Sequence, residues 1–208
     1  MIRNIDVKPP RRTYSSALRD EQADATRTRI LEALVRTMAA GIGGLSIPAV
    51  AREAGVSIPT IYRHFGSKHG LVEALQPYVT SKAGLTPDPM PQTLDELGDL
   101  VRRLFGNLEG MDLTLRAAMA SQLGQEVRRA TMPERRTMTR DIIARFAPDL
   151  READLERLAD LVLILISTAG FRAFKDYLGL GPHEAADLAT WGIRTLIQGA
   201  RTGTEETR

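Results

Sequence analysis

Apolar side chains at Ile30, Leu31, Leu34, Val35 and Met38 recur at spacings of three and four, the period that places them on one face of an α-helix, and Gly41 offers a left-handed stop. Two short helical stretches follow, each opened by the same tripeptide, Ser46-Ile47-Pro48 and Ser57-Ile58-Pro59. In each the serine hydroxyl can cap free backbone N–H groups, and proline sits in the first turn, where its missing N–H costs nothing. Between them Ala54-Gly55-Val56 supplies a tight turn and an apolar plug for two crossing helices. Ser67 caps a fourth helix that carries Leu71, Val72, Leu75 and Val79 on one stripe. Pro87, Pro89 and Pro91 then interrupt the chain, and a domain boundary is expected at about 84 to 92. Beyond it the periodicity predicts helices over Thr93–Leu108, Leu113–Leu123, Pro133–Phe146, Glu152–Tyr177 and Pro182–Gly199. No segment alternates as a strand does between hairpin turns, so the fold class is all-α.

Composition narrows the chemistry. The 208 residues contain no cysteine, which removes disulfide scaffolds, zinc fingers and thiol nucleophiles, and agrees with a reducing cytoplasm. The three histidines, His64, His69 and His183, are scattered and stand apart from any acidic cluster, so neither a metal site nor a catalytic constellation is expected, and no cofactor. The N-terminus has charges but no apolar run, unlike a signal peptide. The longest charge-free apolar stretch, Leu161 to Phe171, is well short of the roughly 20 residues a bilayer crossing needs, so no membrane partner is expected.

Charge divides along the proline boundary. Lys plus Arg number 28 against 26 Asp plus Glu overall, but residues 1–82 hold 12 against 7 and the remainder 16 against 19. A basic helical third beside an acidic helical body points to nucleic-acid contact by one domain. The expected organisation is a basic arm over 1–20, a DNA-binding domain over 21–83, a helical domain over 84–202 and a disordered tail over 203–208.

The stretch from Ile47 to Phe65 has helix-turn-helix spacing, with Ala51 small at the crossing, Gly55 at the turn, and Val50, Val56 and Ile61 as locking contacts. The second helix then offers Ile58, Pro59, Thr60, Tyr62, Arg63 and His64 on its open side. Lys68, just inside the fourth helix, can hold a phosphate together with the free N–H groups of that helix start. Thr60 is the best candidate for a base contact, since its hydroxyl can donate or accept and its methyl can meet thymine. Ile58 has only apolar surface to offer a base and can equally close the domain, and Arg63 can contact DNA or simply solubilise the helix. Ser46 and Ser57 are caps first, with a phosphate contact as a second use. Arg3, Lys8, Arg11, Arg12 and Arg19 can thread a minor groove or remain a disordered arm.

From Arg29 to Leu75 the chain resembles the DNA-binding domain of the TetR family of bacterial transcriptional repressors. The resemblance rests on the R-I-L-x-A opening, the A-x-x-A-G-V-S turn, the T-I-Y-x-H-F helix and the S-K that begins the fourth helix. Met38, where an aromatic is usual, and the glycine-rich Gly41-Ile42-Gly43-Gly44 depart from that pattern. The resemblance implies that Tyr62 and His64 reach the DNA backbone, that the body over 84–202 binds a ligand and dimerises, and that the chain is a repressor of a palindromic operator released by a small-molecule effector. A constitutive architectural DNA-binding protein is the alternative, and an enzyme is not expected.

A lone recognition helix buries too little surface for strong specific binding, so a homodimer is expected. The last two predicted helices are the candidates for pairing, through Leu158, Leu165, Leu188, Trp191, Gly192 and Leu196, with Trp191 as the anchor. An apolar ligand pocket is expected from Leu104, Phe105, Met111, Leu115, Met119, Phe146 and Phe171, with Arg116 and Ser167 as polar contacts and Arg116 suited to an anion. Each of these can equally be ordinary core.

Overall fold

A computed structural model describes residues 14–41, 45–86 and 89–205. Helix α1 (Tyr14–Ala39) buries the expected stripe, Ile30, Leu31, Leu34, Val35 and Met38, and its chain turns away at Gly41 with φ 69°. Three short helices complete the N-terminal domain: α2 (Ile47–Ala54), α3 (Ile58–Phe65) and α4 (Lys68–Lys82). Each is capped by the serine that precedes it: Ser46 accepts from the Ala49 N–H, Ser57 from Thr60 and Ser67 from Gly70. Val50, Ile61, Leu71 and Leu75 are almost fully enclosed between these helices.

The body is α5 (Leu94–Glu109), α6 (Leu113–Ala120), α7 (Gln122–Ala130), α8 (Met132–Phe146), α9 (Glu152–Leu165), α10 (Thr168–Leu178) and α11 (Pro182–Glu205). Helix α5 lies along α11, α8 along α9, and α6 docks on α1, so one apolar core runs from the N-terminal domain into the body. At its centre Phe105 packs against Phe171 with ring centroids 4.9 Å apart. No strand occurs among the described residues, and no described helix is long and apolar enough to cross a membrane.

Several helix boundaries differ from the periodicity reading, and α7 runs on to Ala130 through residues that the reading left between helices. The expected helix Leu113–Leu123 breaks at Ser121, and the expected helix Glu152–Tyr177 breaks at residues 166 and 167. Helix α1 already begins at Tyr14, inside the stretch assigned to an arm, and α11 continues to Glu205, into the stretch assigned to a tail. Arm residues Arg3, Lys8, Arg11 and Arg12 lie outside the described residues, whereas Arg19 sits on α1.

Both breaks share a cause that also makes the α3–α4 corner. Ser67-x-x-Gly70, Ser121-x-x-Gly124 and Ser167-x-x-Gly170 place a serine hydroxyl at each new helix start, where it accepts from the glycine N–H at 2.9, 3.2 and 3.1 Å. Ser121 and Ser167 also donate backward to the carbonyls of Ala118 and Ile164 at 2.6 and 2.8 Å, so one hydroxyl closes one helix and opens the next. The glycine stands where a Cβ would press into carbonyls of the preceding helix end: Phe65 for Gly70, Ala118 and Met119 for Gly124, Ile164 and Leu165 for Gly170. These carbonyls are backbone, and relief requires the corner to open. Gly170→Ala should therefore lower folding stability by about 1–3 kcal/mol, measured by urea denaturation, although alanine favours an ordinary helix. Unchanged stability would mean that the corner is not tight.

Candidate nucleic-acid interface

The α2–turn–α3 unit is built so that one side of α3 is fixed and the other open. Ile61 and Phe65 face inward, Gly55 makes the turn with φ 64°, and its N–H closes α2 on the Ala51 and Arg52 carbonyls. On the outer side Ile58 and Tyr62 keep 39% and 42% of their surface, large apolar and aromatic groups left in water beside exposed Pro59 and Arg63. Thr60 is half-buried, and its hydroxyl is 2.8 Å from that of Ser57, so the base-contact candidate is pre-oriented by the cap. Ser57 is exposed, while Ser46 is half-buried at the start of α2. Lys68, exposed in the first turn of α4, and Arg63 both lack ion pairs and hydrogen bonds from their side chains among the described residues. The structure thus brings Ser57, Ile58, Pro59, Thr60, Tyr62 and Arg63 together on the open side and start of α3.

His64 differs from its neighbours. It is half-buried, and burial first, then the charges of Arg63 and Arg27, hold its imidazole below the ordinary value of 6.5, so it is neutral at physiological pH.

Arg27 is the residue that sequence reasoning missed. Its guanidinium donates to the His64 carbonyl at 2.9 Å and lies over the Phe65 ring, 4.4 Å from the centroid. It satisfies a free carbonyl at the end of α3, complements the negative end of that helix, and stacks on the aromatic beside it. A second tie, Arg36 to Glu53 at 2.6 Å, joins α1 to α2. Gly70 was missed as well, and its tight approach to Phe65 sets the angle at which α4 presents Lys68.

In the body, the proposed pocket residues are largely committed to packing. Phe105, Met111, Leu115, Phe146 and Phe171 are buried, and Leu104 and Met119 pack against the same core. Ser167 is the cap of α10. The Arg116 guanidinium donates to the carbonyls of Glu109 and Met111 at 2.9 and 3.2 Å, which finishes α5, so the group expected to suit an anion is spent on backbone. An open cavity of about 820 Å³ lies elsewhere, between α1, α4, α5 and α6, with Glu32, Tyr78, Lys82, Asn107 and Asp112 among its walls. It shares only Met111 and Leu115 with the expected set. Across it Lys82 pairs with Glu32 at 3.0 Å, which lowers the Glu32 pKa and raises that of Lys82.

The pairing candidates separate by exposure. Leu158 is buried within its own chain, and Leu165, Gly192 and Leu196 are half-buried. Leu188 and Trp191 on α11 are exposed, as are Leu161 and Ile164 on the adjoining α9, with 64% of Trp191 and 63% of Ile164 in solvent.

Residues 30–75 match the family model described as bacterial regulatory proteins, tetR family. No curated relative matches the chain. Among solved structures, a candidate transcriptional regulator of Pseudomonas aeruginosa PAO1 aligns with TM-score 0.62 and 19% identity over 84% of this chain and 91% of its own. NalD, the secondary repressor of the MexAB-OprM multidrug efflux pump in Pseudomonas aeruginosa, aligns with TM-score 0.59 and 18% identity over 84% and 96%. A transcriptional regulator from Rhodococcus sp. Rha1 aligns with TM-score 0.54 and 21% identity over 84% and 97%. These identities establish the shared fold. The exposed recognition helix on its capped turn thereby has its family: the N-terminal domain of this chain belongs to the tetR family of bacterial regulatory proteins, and the chain is a DNA-binding transcriptional regulator.

Proposed function

We propose that the chain is a dimeric repressor that binds a palindromic operator and is released by a small-molecule effector. The observation that carries the DNA reading is the open side of α3, where Ile58 and Tyr62 stay in water above a firmly packed inner side. In this reading Tyr62, Lys68 and the Ser46 and Ser57 caps hold phosphates, Thr60 and Ile58 meet base edges, and Arg63 adds charge beside them.

Dimerisation is supported by the apolar surface of α9 and α11, where Leu161, Ile164, Leu188 and Trp191 stand exposed on neighbouring helices. A second copy related by a two-fold axis would cover this self-complementary patch and set two recognition helices about one duplex turn apart. NalD is a repressor with this fold, which supports repression here. Release would come from a ligand in the body that displaces α4, since that helix runs from Lys68 into the interdomain junction at Lys82.

Three outcomes test this reading. In fluorescence anisotropy with a selected operator, Lys68→Ala should weaken binding across sequences and reduce the salt slope by about 1, while Thr60→Ala should relax discrimination at one base per half-site by about 1–3 kcal/mol. Unchanged affinity and salt slope in both variants would remove α3 as the reader. Phosphates near His64 would raise its pKa above the depressed free value, so binding would take up a proton. Affinity should then rise as pH falls through the raised pKa of the complex toward the depressed value of the free protein, and His64→Gln should flatten that dependence. Trp191→Glu should move the protein from dimer to monomer in analytical ultracentrifugation and weaken operator binding; a variant still dimeric would place the interface elsewhere.

A further inference from the structure

Among the described residues Thr139 is one of three buried polar side chains, with Thr37 and Thr190. A threonine hydroxyl inside a helix commonly returns to the carbonyl four residues back. Thr37 does so to Ala33 at 2.8 Å and Thr190 to Ala186 at 2.7 Å. Thr139 makes no side-chain hydrogen bond among the described residues. Every fully enclosed side-chain nitrogen or oxygen among them has a partner, so the Thr139 hydroxyl retains open space beside it.

One turn earlier on the same stripe stands Arg135. Positions 135, 138, 139, 142, 143 and 146 follow the helical period and form the inward stripe of α8, with Thr139, Ile142, Ile143 and Phe146 buried and Arg135 and Met138 half-buried. Two of the other arginines of α8 are matched by acids, while Arg145 near its end stays in water: Arg136 grips both Asp160 oxygens at 2.7 and 2.6 Å, and Arg140 pairs with Glu152 at 2.5 Å. Arg135 has neither an ion pair nor a side-chain hydrogen bond among the described residues. The one charge that perturbs it is a second cation, Arg128, half-buried on the inward side of α7 with Leu123, Gly124 and Val127 and likewise without a partner. Burial and then Arg128 lower the Arg135 pKa, and its place in the first turns of α8 sets it against the helix dipole as well. An unmatched half-buried cation costs stability. Here two of them are near enough to repel each other, and Arg135 stands one turn before a buried hydroxyl that has no hydrogen bond among the described residues.

We propose that the inward stripes of α7 and α8 bind a small organic anion, a carboxylate on an apolar body. Arg135 and Arg128 receive the carboxylate, the Thr139 hydroxyl donates to it, and Leu123, Val127 and Ile142 cover the apolar part. The proposal rests on the ligand-responsive reading and names the chemistry of that ligand. Helix α7 packs on both α8 and α4, so neutralising the arginine pair and drawing α7 toward α8 shifts the helix that presents Lys68.

The test uses the full chain, with octanoate and benzoate as probes, octanamide and benzamide as their uncharged counterparts, and inorganic phosphate as a bare anion. The carboxylates should raise the Tm in a dose-dependent way, and the amides and phosphate should not. Arg135→Gln should raise the Tm of the ligand-free protein, because it removes an unmatched charge, and weaken octanoate at least about tenfold by calorimetry. Thr139→Val should fold and weaken octanoate less. Equal shifts by the amides, an equal response to phosphate, carboxylates inactive at millimolar concentration, or octanoate affinity unchanged in Arg135→Gln would each overturn the proposal. Operator anisotropy run in parallel separates the two readings. Octanoate that binds through Arg135 without releasing DNA upholds the site and refutes ligand response. Release by the amides, undiminished in Arg135→Gln, refutes the site and keeps the response.

Discussion

The recognition helix is eight residues long, too short to hold its own conformation, so its orientation depends on what grips its ends. At the start Ser57 caps the Thr60 N–H. At the finish Arg27, reaching from α1, binds the His64 carbonyl and stacks on Phe65. The two grips differ in kind. The serine cap is local and travels with the helix, whereas Arg27 ties α3 to a long helix that also docks on α6 of the body. Any displacement of α1 or α4 by the body is therefore transmitted to the end of α3, through Arg27 on one side and the Gly70–Phe65 corner on the other. The recognition helix is thus tied twice, once within its own segment and once to the helix that reaches the body.

How much of this was legible in the sequence follows from the range of the interactions. The Ser-Ile-Pro repeat, the Gly55 turn and the stripe of α1 are local signals, and the N-terminal helices form where those signals place them. The breaks at Ser121 and Ser167 were also written locally, as serine followed by glycine three residues later, but apolar periodicity continues through both and masks them. A helix reading that counts only hydrophobic spacing passes through such a corner; one that treats Ser-x-x-Gly as a start signal stops at it. Arg27 carried no signal of its kind. An exposed-looking arginine on a polar stretch of α1 gains its role only when α3 crosses 37 residues later in the chain.

The body shows the same limit more strongly. Arg116 was singled out because apolar neighbours surround it in sequence, yet it turns to backbone carbonyls at the end of α5. Arg135 stood in a run of polar residues, Glu134-Arg135-Arg136-Thr137, that reads as a solvated face. Its inward position emerges only when the buried residues of α8 are counted back along the stripe from Phe146 to Thr139. Neutral pairing of charge is a tertiary property, and the difference between Arg136, matched by Asp160, and Arg135, matched by no acid among the described residues, depends on which side of α8 meets α9.

That difference also orders the energetics of the proposed switch. An exposed pair such as Arg136–Asp160 contributes little to stability, because water solvates both charges in either state. A half-buried cation without a counter-charge is a standing cost, and a ligand that supplies the missing charge recovers it on binding. The recovered free energy is available only in the arrangement where α7 and α8 are close enough for both arginines to reach one carboxylate. It is therefore differential between conformations, and only differential affinity can shift a population. Octanoate and its amide differ in charge and little in shape. They ask whether that differential exists, and Arg135→Gln asks whether it resides where the unmatched charge does.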